Sequence, residues 1–135
     1  MEKLKYFFVL LAVVLVATGA TYFGRSFYNK IYVPEISFEN NKHEFDTLLT
    51  QEDAEIYFKY KNVGTEDLEI LNIQTTCGCT IPEWNSKLLA PDEADSFKVS
   101  YNIENKGNFL KEIMVYSNSK TSPDHLIISG FVPFE

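Results

Sequence analysis

Hydrophobic and polar positions divide this chain into two materials. From Tyr6 to Gly24 no residue carries a charge, a run of 19 positions between Lys5 and Arg25. It lacks the polar face of an amphipathic helix and is long enough to cross a bilayer. Beyond it the period becomes two. Ala54, Ile56, Phe58 and Tyr60 share one face of an extended segment, and Glu55, Lys59 and Lys61 share the other. Asn62-Val63-Gly64-Thr65 supplies turn chemistry, and Leu68, Ile70 and Ile73 continue in a second strand. After Pro91-Asp92-Glu93, Phe97, Val99 and Tyr101 alternate with polar neighbours. After Asn105-Lys106-Gly107-Asn108, the apolar face is Phe109, Ile113 and Val115. A polar loop from Asn118 to Asp124 leads to a last strand with Leu126, Ile128, Gly130 and Val132 on one face.

This spacing, with a turn signal every 8–12 residues or so and no helical pattern after the first segment, predicts an all-β domain. The expected architecture is an immunoglobulin-like antiparallel β-sandwich of about seven strands, preceded by one N-terminal hydrophobic helix. The expected division is a signal-anchor or signal peptide over 1–24, a tether over 25–34 and the sandwich over 35–135.

The apolar run is longer than a typical signal peptide core and reads as an uncleaved anchor. Cleavage is the alternative, because Thr18 and Ala20 offer a small-residue pattern. Tyr22 and Phe23 suit a membrane interface. No cysteine lies near the run, so it does not read as a lipoprotein anchor. Lys3 and Lys5 favour a cytoplasmic N-terminus, weakened by Glu2 and by Arg25. The remainder would lie on the periplasmic face of the inner membrane of a Gram-negative bacterium, where disulfides are permitted.

Hydrophobic residues make up 45% of the chain and aromatics 15%, so a packed core is expected. The formal net charge of −7 disfavours nucleic acid as a partner. The expected partners are the membrane, through the N-terminal segment, and an unidentified envelope protein.

The sharpest chemical feature is Cys77-Gly78-Cys79-Thr80, which holds both cysteines of the chain. In a regular strand such a pair sits at the limit of disulfide reach, so closing the bond needs a turn or bulge, which Gly78 makes accessible. A disulfide over so short a loop is easily reduced, which suits redox chemistry better than stapling. Three readings stay open: structural pairing, which is favoured, a redox-active pair, and a metal site. Zinc would need Cys77, Cys79, His43 and His125 together, and copper(I) could take the two thiolates alone. No cofactor is the expected state. Pro82 and Trp84 are expected neighbours of the motif, with Trp84 as a core or lid residue. Glu66, Asp67 and Glu69, and Asp92, Glu93 and Asp95, lack calcium-loop spacing and read as solvated turns. No nucleophile triad, phosphate loop or paired-carboxylate site can be placed, so an enzyme is not the expected reading.

Phe45-Asp46, Asn62-Val63-Gly64, the Leu68 to Ile73 strand, Cys77 to Thr80, Pro82 and Trp84 together resemble a bacterial envelope family, the domain of unknown function number 1573. Pro91-Asp92-Glu93, Gly107 to Lys111, Ser117-Asn118 and Leu126 to Val132 extend the resemblance over residues 36–132. Two positions depart from it: Asp92 stands for the usual turn glycine, and Thr47 follows Phe45-Asp46 where the family often has Phe-Gly. The resemblance implies an immunoglobulin-like sandwich similar to pilus-chaperone domains, exported beyond the inner membrane. It implies no activity.

Overall fold

The structure, a computed structural model, describes residues 2–31 and 33–134. It separates into two units, Met1–Val33 and Pro34–Glu135.

The first unit is helix α1, Glu2–Ile31. Its side chains from Lys3 to Tyr28 are exposed. The helix continues through Ile31, across most of the expected tether over 25–34, while Tyr32 lies outside the described residues, as do Met1 and Glu135. No proline or glycine stands between Arg25 and Val33, and Pro34 is the first residue that cannot donate to a helix.

The second unit is a sandwich of two four-stranded sheets. Its strands are β1 (Ile36–Phe38), β2 (Lys42–Thr47), β3 (Glu55–Asn62), β4 (Ile70–Thr75), β5 (Thr80–Glu83), β6 (Ala94–Tyr101), β7 (Gly107–Ser117) and β8 (Asp124–Val132). One sheet has the order β1-β3-β6-β5, the other β2-β8-β7-β4. There are eight strands rather than about seven, because the first strand position is divided. After β1 the chain crosses to the other sheet and continues as β2, which lies parallel to β8. The pairing is antiparallel throughout, as expected, except at that one edge, where β2 runs parallel to β8.

The alternation read from the sequence places the core. Phe58, Tyr60, Phe97, Val99 and Tyr101 face inward from one sheet; Ile73, Phe109, Ile113, Val115, Leu126, Ile128 and Val132 face them from the other. Tyr101 stacks on Phe109 across the sandwich, ring centroids 3.8 Å apart. Gly130 interrupts the inward face of β8 because no side chain fits: a Cβ there would come within 2.9 Å of the Phe109 ring and 3.0 Å of Phe45. Leu68 and Leu89 close one end, paired by a single bridge of backbone hydrogen bonds.

Asn62, fully buried at the end of β3, organises the turns there. Its amide nitrogen donates to the Glu66 and Leu89 carbonyls, 2.8 Å each, and its amide oxygen accepts from Gly64 N–H at 3.0 Å. Its own backbone N–H donates to Glu93 and its carbonyl accepts from Asp92, both at 2.9 Å. One side chain therefore ties the 63–67 turn to the 89–93 turn.

Candidate functional site

The cysteines lie where the chain passes from one sheet to the other. β4 is an edge strand of the second sheet and β5 an edge strand of the first. The crossing between them occupies residues 76–79. Thr76 N–H donates to the Glu112 carbonyl on β7 at 3.3 Å. The Cys79 carbonyl accepts from Asn102 N–H, just past β6, at 2.8 Å. Thr75 Oγ1 lies 2.9 Å from the Cys77 carbonyl and 3.1 Å from that of Thr80, so its hydroxyl proton holds the turn from within. Thr80 N–H closes it onto the Cys77 carbonyl at 3.4 Å.

In this turn Cys77 and Cys79 are disulfide-bonded, with Cα atoms 5.3 Å apart. That is well inside disulfide range and shorter than the spacing of residues i and i+2 in a strand. Both cysteines are half-buried, and Cys79 packs against the core. Cys77 Sγ lies 3.9 Å from the hydroxyl of Thr80, itself buried. Gly78 is exposed; a Cβ on it would meet no atom within 4 Å, and it does not adopt a positive φ.

Each histidine has a partner outside this turn. His43, on β2, meets Phe45 edge-on with ring centroids 4.5 Å apart. His125, on β8, has Nδ1 2.7 Å from Glu112 Oε1 on the outer face of the sheet. Among the described residues no group of three or more His, Cys, Asp or Glu side chains is placed to hold a metal ion. With both sulfurs in the disulfide, the four-residue zinc set and the two-thiolate copper set are not assembled.

Trp84 follows the end of β5 and is not part of the core; at 37% exposure it borders a shallow cleft with Pro82, Glu83, Asn85 and Ser96. The strand ends before it reaches Trp84, so no sheet face turns the indole inward. Across β5, β6 and β3, Lys98 Nζ bridges Glu83 at 3.2 Å and Glu55 at 3.4 Å. The hydrogen bond to Glu83, against some burial, holds its pKa above the ordinary lysine value.

A second feature lies at the opposite edge of the same sheet. β1 pairs only with Tyr60–Asn62, and Glu39 N–H adds one bond to the Lys59 carbonyl at 3.1 Å. The chain then leaves for the other sheet, so Glu55 to Phe58 of β3 have a strand partner on the β6 side alone. Since Glu39 bonds Lys59 and backbone groups alternate sides along a strand, the N–H and C=O of Tyr57 point to the vacated side. A cleft of about 420 Å³ opens there, lined by Glu39, Lys42, His43, Tyr57 and Lys59 among others. The Tyr57 side chain is 58% exposed. Its signal in the sequence is an aromatic residue on the polar face of an alternating strand, between Glu55 and Lys59.

Comparison with known proteins agrees with this architecture. A family model described as a protein of unknown function (DUF1573) matches residues 36–132, so the chain belongs to that family. No curated protein matches it. Among solved structures, it is similar to a protein of unknown function from Porphyromonas gingivalis W83, with 11% identity and a TM-score of 0.63. The alignment covers 75% of this chain but 48% of that one, so the chain spans about half of its length. It is similar to the ASH/PapD-like domain 7 of human CEP192, with 14% identity and a TM-score of 0.62, covering 76% and 88%. It is also similar to the CsuC–CsuE chaperone–tip adhesion subunit complex of Acinetobacter baumannii, with 9% identity and a TM-score of 0.53, covering 72% and 56%. At these identities the likeness concerns the fold.

Proposed function

We propose that this DUF1573 protein is a membrane-tethered, protein-binding module of a Gram-negative envelope, held in the inner membrane by α1 with its sandwich on the periplasmic face. The observation that carries the reading is the helix. The apolar span Lys3–Tyr28 has 26 residues, none buried within the structure. At 1.5 Å per residue it reaches about 39 Å, against a hydrocarbon core of about 30 Å. Tyr6, Phe7 and Phe8 stand at one end, and Tyr22, Phe23, Phe27 and Tyr28 at the other, where aromatic residues favour both interfaces.

Binding is the part of the reading that the sandwich supports. The unpaired edge of β3 at Tyr57 offers main-chain donors and acceptors to an extended segment of a partner, which would add a strand there. The Acinetobacter structure holds a chaperone of similar fold with an adhesion subunit, which is consistent with that use of the fold.

Protease treatment of cells with a permeabilised outer membrane and intact inner membrane tests the placement. The reading expects the sandwich to be digested or released while an N-terminal fragment stays in the membrane. Protection of the sandwich until the inner membrane is broken would refute it. A photo-crosslinking residue at Tyr57, compared with one at Glu112 on the other sheet, tests the edge. Adducts at the first position alone are expected.

A further inference from the structure

The Cys77–Cys79 bond does little for the turn that contains it. It closes a loop of three residues, and a crosslink so local removes little freedom from the unfolded chain. Hydrogen bonds from Thr75, Thr76, Thr80 and Asn102 already fix the crossing on both sheets. Gly78 is a separate observation. Its φ is not in the left-handed region, and a Cβ would meet nothing, so neither backbone nor packing requires glycine there. What the missing side chain does leave is open space on the solvent side of the turn, between the two half-buried cysteines.

We propose that the Cys77–Cys79 bond is a thiol–disulfide exchange site that accepts two electrons from a dithiol on another protein, and that Gly78 is the opening through which the partner's thiolate approaches. A thiolate of the partner attacks Cys79 Sγ. A mixed disulfide forms, the Cys77–Cys79 bond breaks, and Cys77 Sγ leaves with the electron pair, close to the Thr80 hydroxyl that can donate to it. The partner's second thiol, deprotonated, attacks its own sulfur in the mixed disulfide and expels Cys79 as a thiolate. The partner is oxidised to a disulfide, Cys77 and Cys79 are reduced, and the two protons lost by the partner's thiols end on the two cysteines. This role goes beyond strand addition at Tyr57 and uses neither that edge nor the anchor.

The test uses the oxidised full-length chain in detergent and two probes: reduced glutathione and a short peptide carrying a Cys-x-x-Cys dithiol. Alkylation quenching and intact mass report the reduced fraction with time. The peptide is expected to reduce this bond at least about tenfold faster than it reduces oxidised glutathione, because a disulfide over so short a loop is labile. Gly78→Val, which the open space accommodates, is expected to slow the peptide about fivefold or more and glutathione less than about twofold, as steric exclusion of a larger attacker requires. If Gly78→Val does not fold, Gly78→Ser carries the same comparison. A rate no greater than that of oxidised glutathione overturns the exchange site. Equal or absent slowing of both probes in a folded variant overturns the role of Gly78.

Discussion

Two residues settle how the turns at one end of this sandwich hold. Asn62 is buried and fully hydrogen-bonded, and its side chain serves two turns at once. Asn62→Ala takes the side-chain partner from the Glu66 carbonyl and the Gly64 N–H and leaves the buried Leu89 carbonyl with Leu68 N–H alone. It is expected to cost about 2–4 kcal/mol in chemical denaturation, near the upper end for a polar truncation. Asp92 occupies the position where the family pattern has glycine, and the structure gives the reason for that glycine: its φ is +67°. Pro91 precedes it, and Glu93 N–H closes the turn on the Ala90 carbonyl at 3.1 Å, the arrangement of a type II turn. Asp92 is tolerated because a short polar side chain visits this region at lower cost. Its carboxylate meets Lys61 Nζ at 2.8 Å, and that hydrogen bond holds its pKa below the usual range. Asp92→Gly is therefore expected to leave stability unchanged or raise it by up to about 1 kcal/mol, and Asp92→Val to lower it by about 1–2 kcal/mol. Tyr60 is buried beside Phe38 and Phe97, and burial, helped by the Asp95 carboxylate opposite it, pushes its pKa up to about 12. Between an unfolded value of about 10 and this value the unfolded state binds fewer protons. Stability is expected to be complete below about pH 10 and to fall as pH rises toward 12, measured by denaturant midpoints across that window.

At the scale of elements, the legible strands were those with a long alternation. β3, β6, β7 and β8 each present three or more inward apolar residues, and their buried faces match the parity read from the sequence. β1, β2 and β5 have 3, 6 and 4 residues, too few for a period of two to stand out. The parallel edge was illegible for a different reason: a change of sheet at residues 39–41 leaves no mark in hydrophobic pattern. The extent of the helix was not legible either, because a fall in hydropathy after Gly24 is a change of composition, not a break in backbone, and the helix runs on to Ile31. At the cysteine turn, the need to leave strand geometry could be read from the spacing, and the bond itself could not. Its modest structural weight yields a direct expectation. Replacing both cysteines, Cys77→Ser with Cys79→Ser, should leave the sandwich folded and cost roughly 1.5 kcal/mol, the chain-entropy value for a three-residue loop. A thermal melt of the pair beside the parent checks this, and a loss of most of the stability would make the bond a staple.

The whole molecule joins an apolar helix to a sandwich whose sheets end in short strands. Each sheet keeps two edges, and the edge at Tyr57 is left without a strand by the crossing of β1 into β2. The chain's net charge of −7, with four of its twelve Lys and Arg before Pro34, sets the sandwich against anionic surfaces. In the proposed placement, a sandwich not drawn to the bilayer electrostatically would depend on its helix to stay there. Retention of α1 is thus the point on which the tethered module stands. Intact mass of the protein extracted from membranes measures it directly. A mass that includes residues 1–24 is expected; a mature chain lacking them refutes the tether.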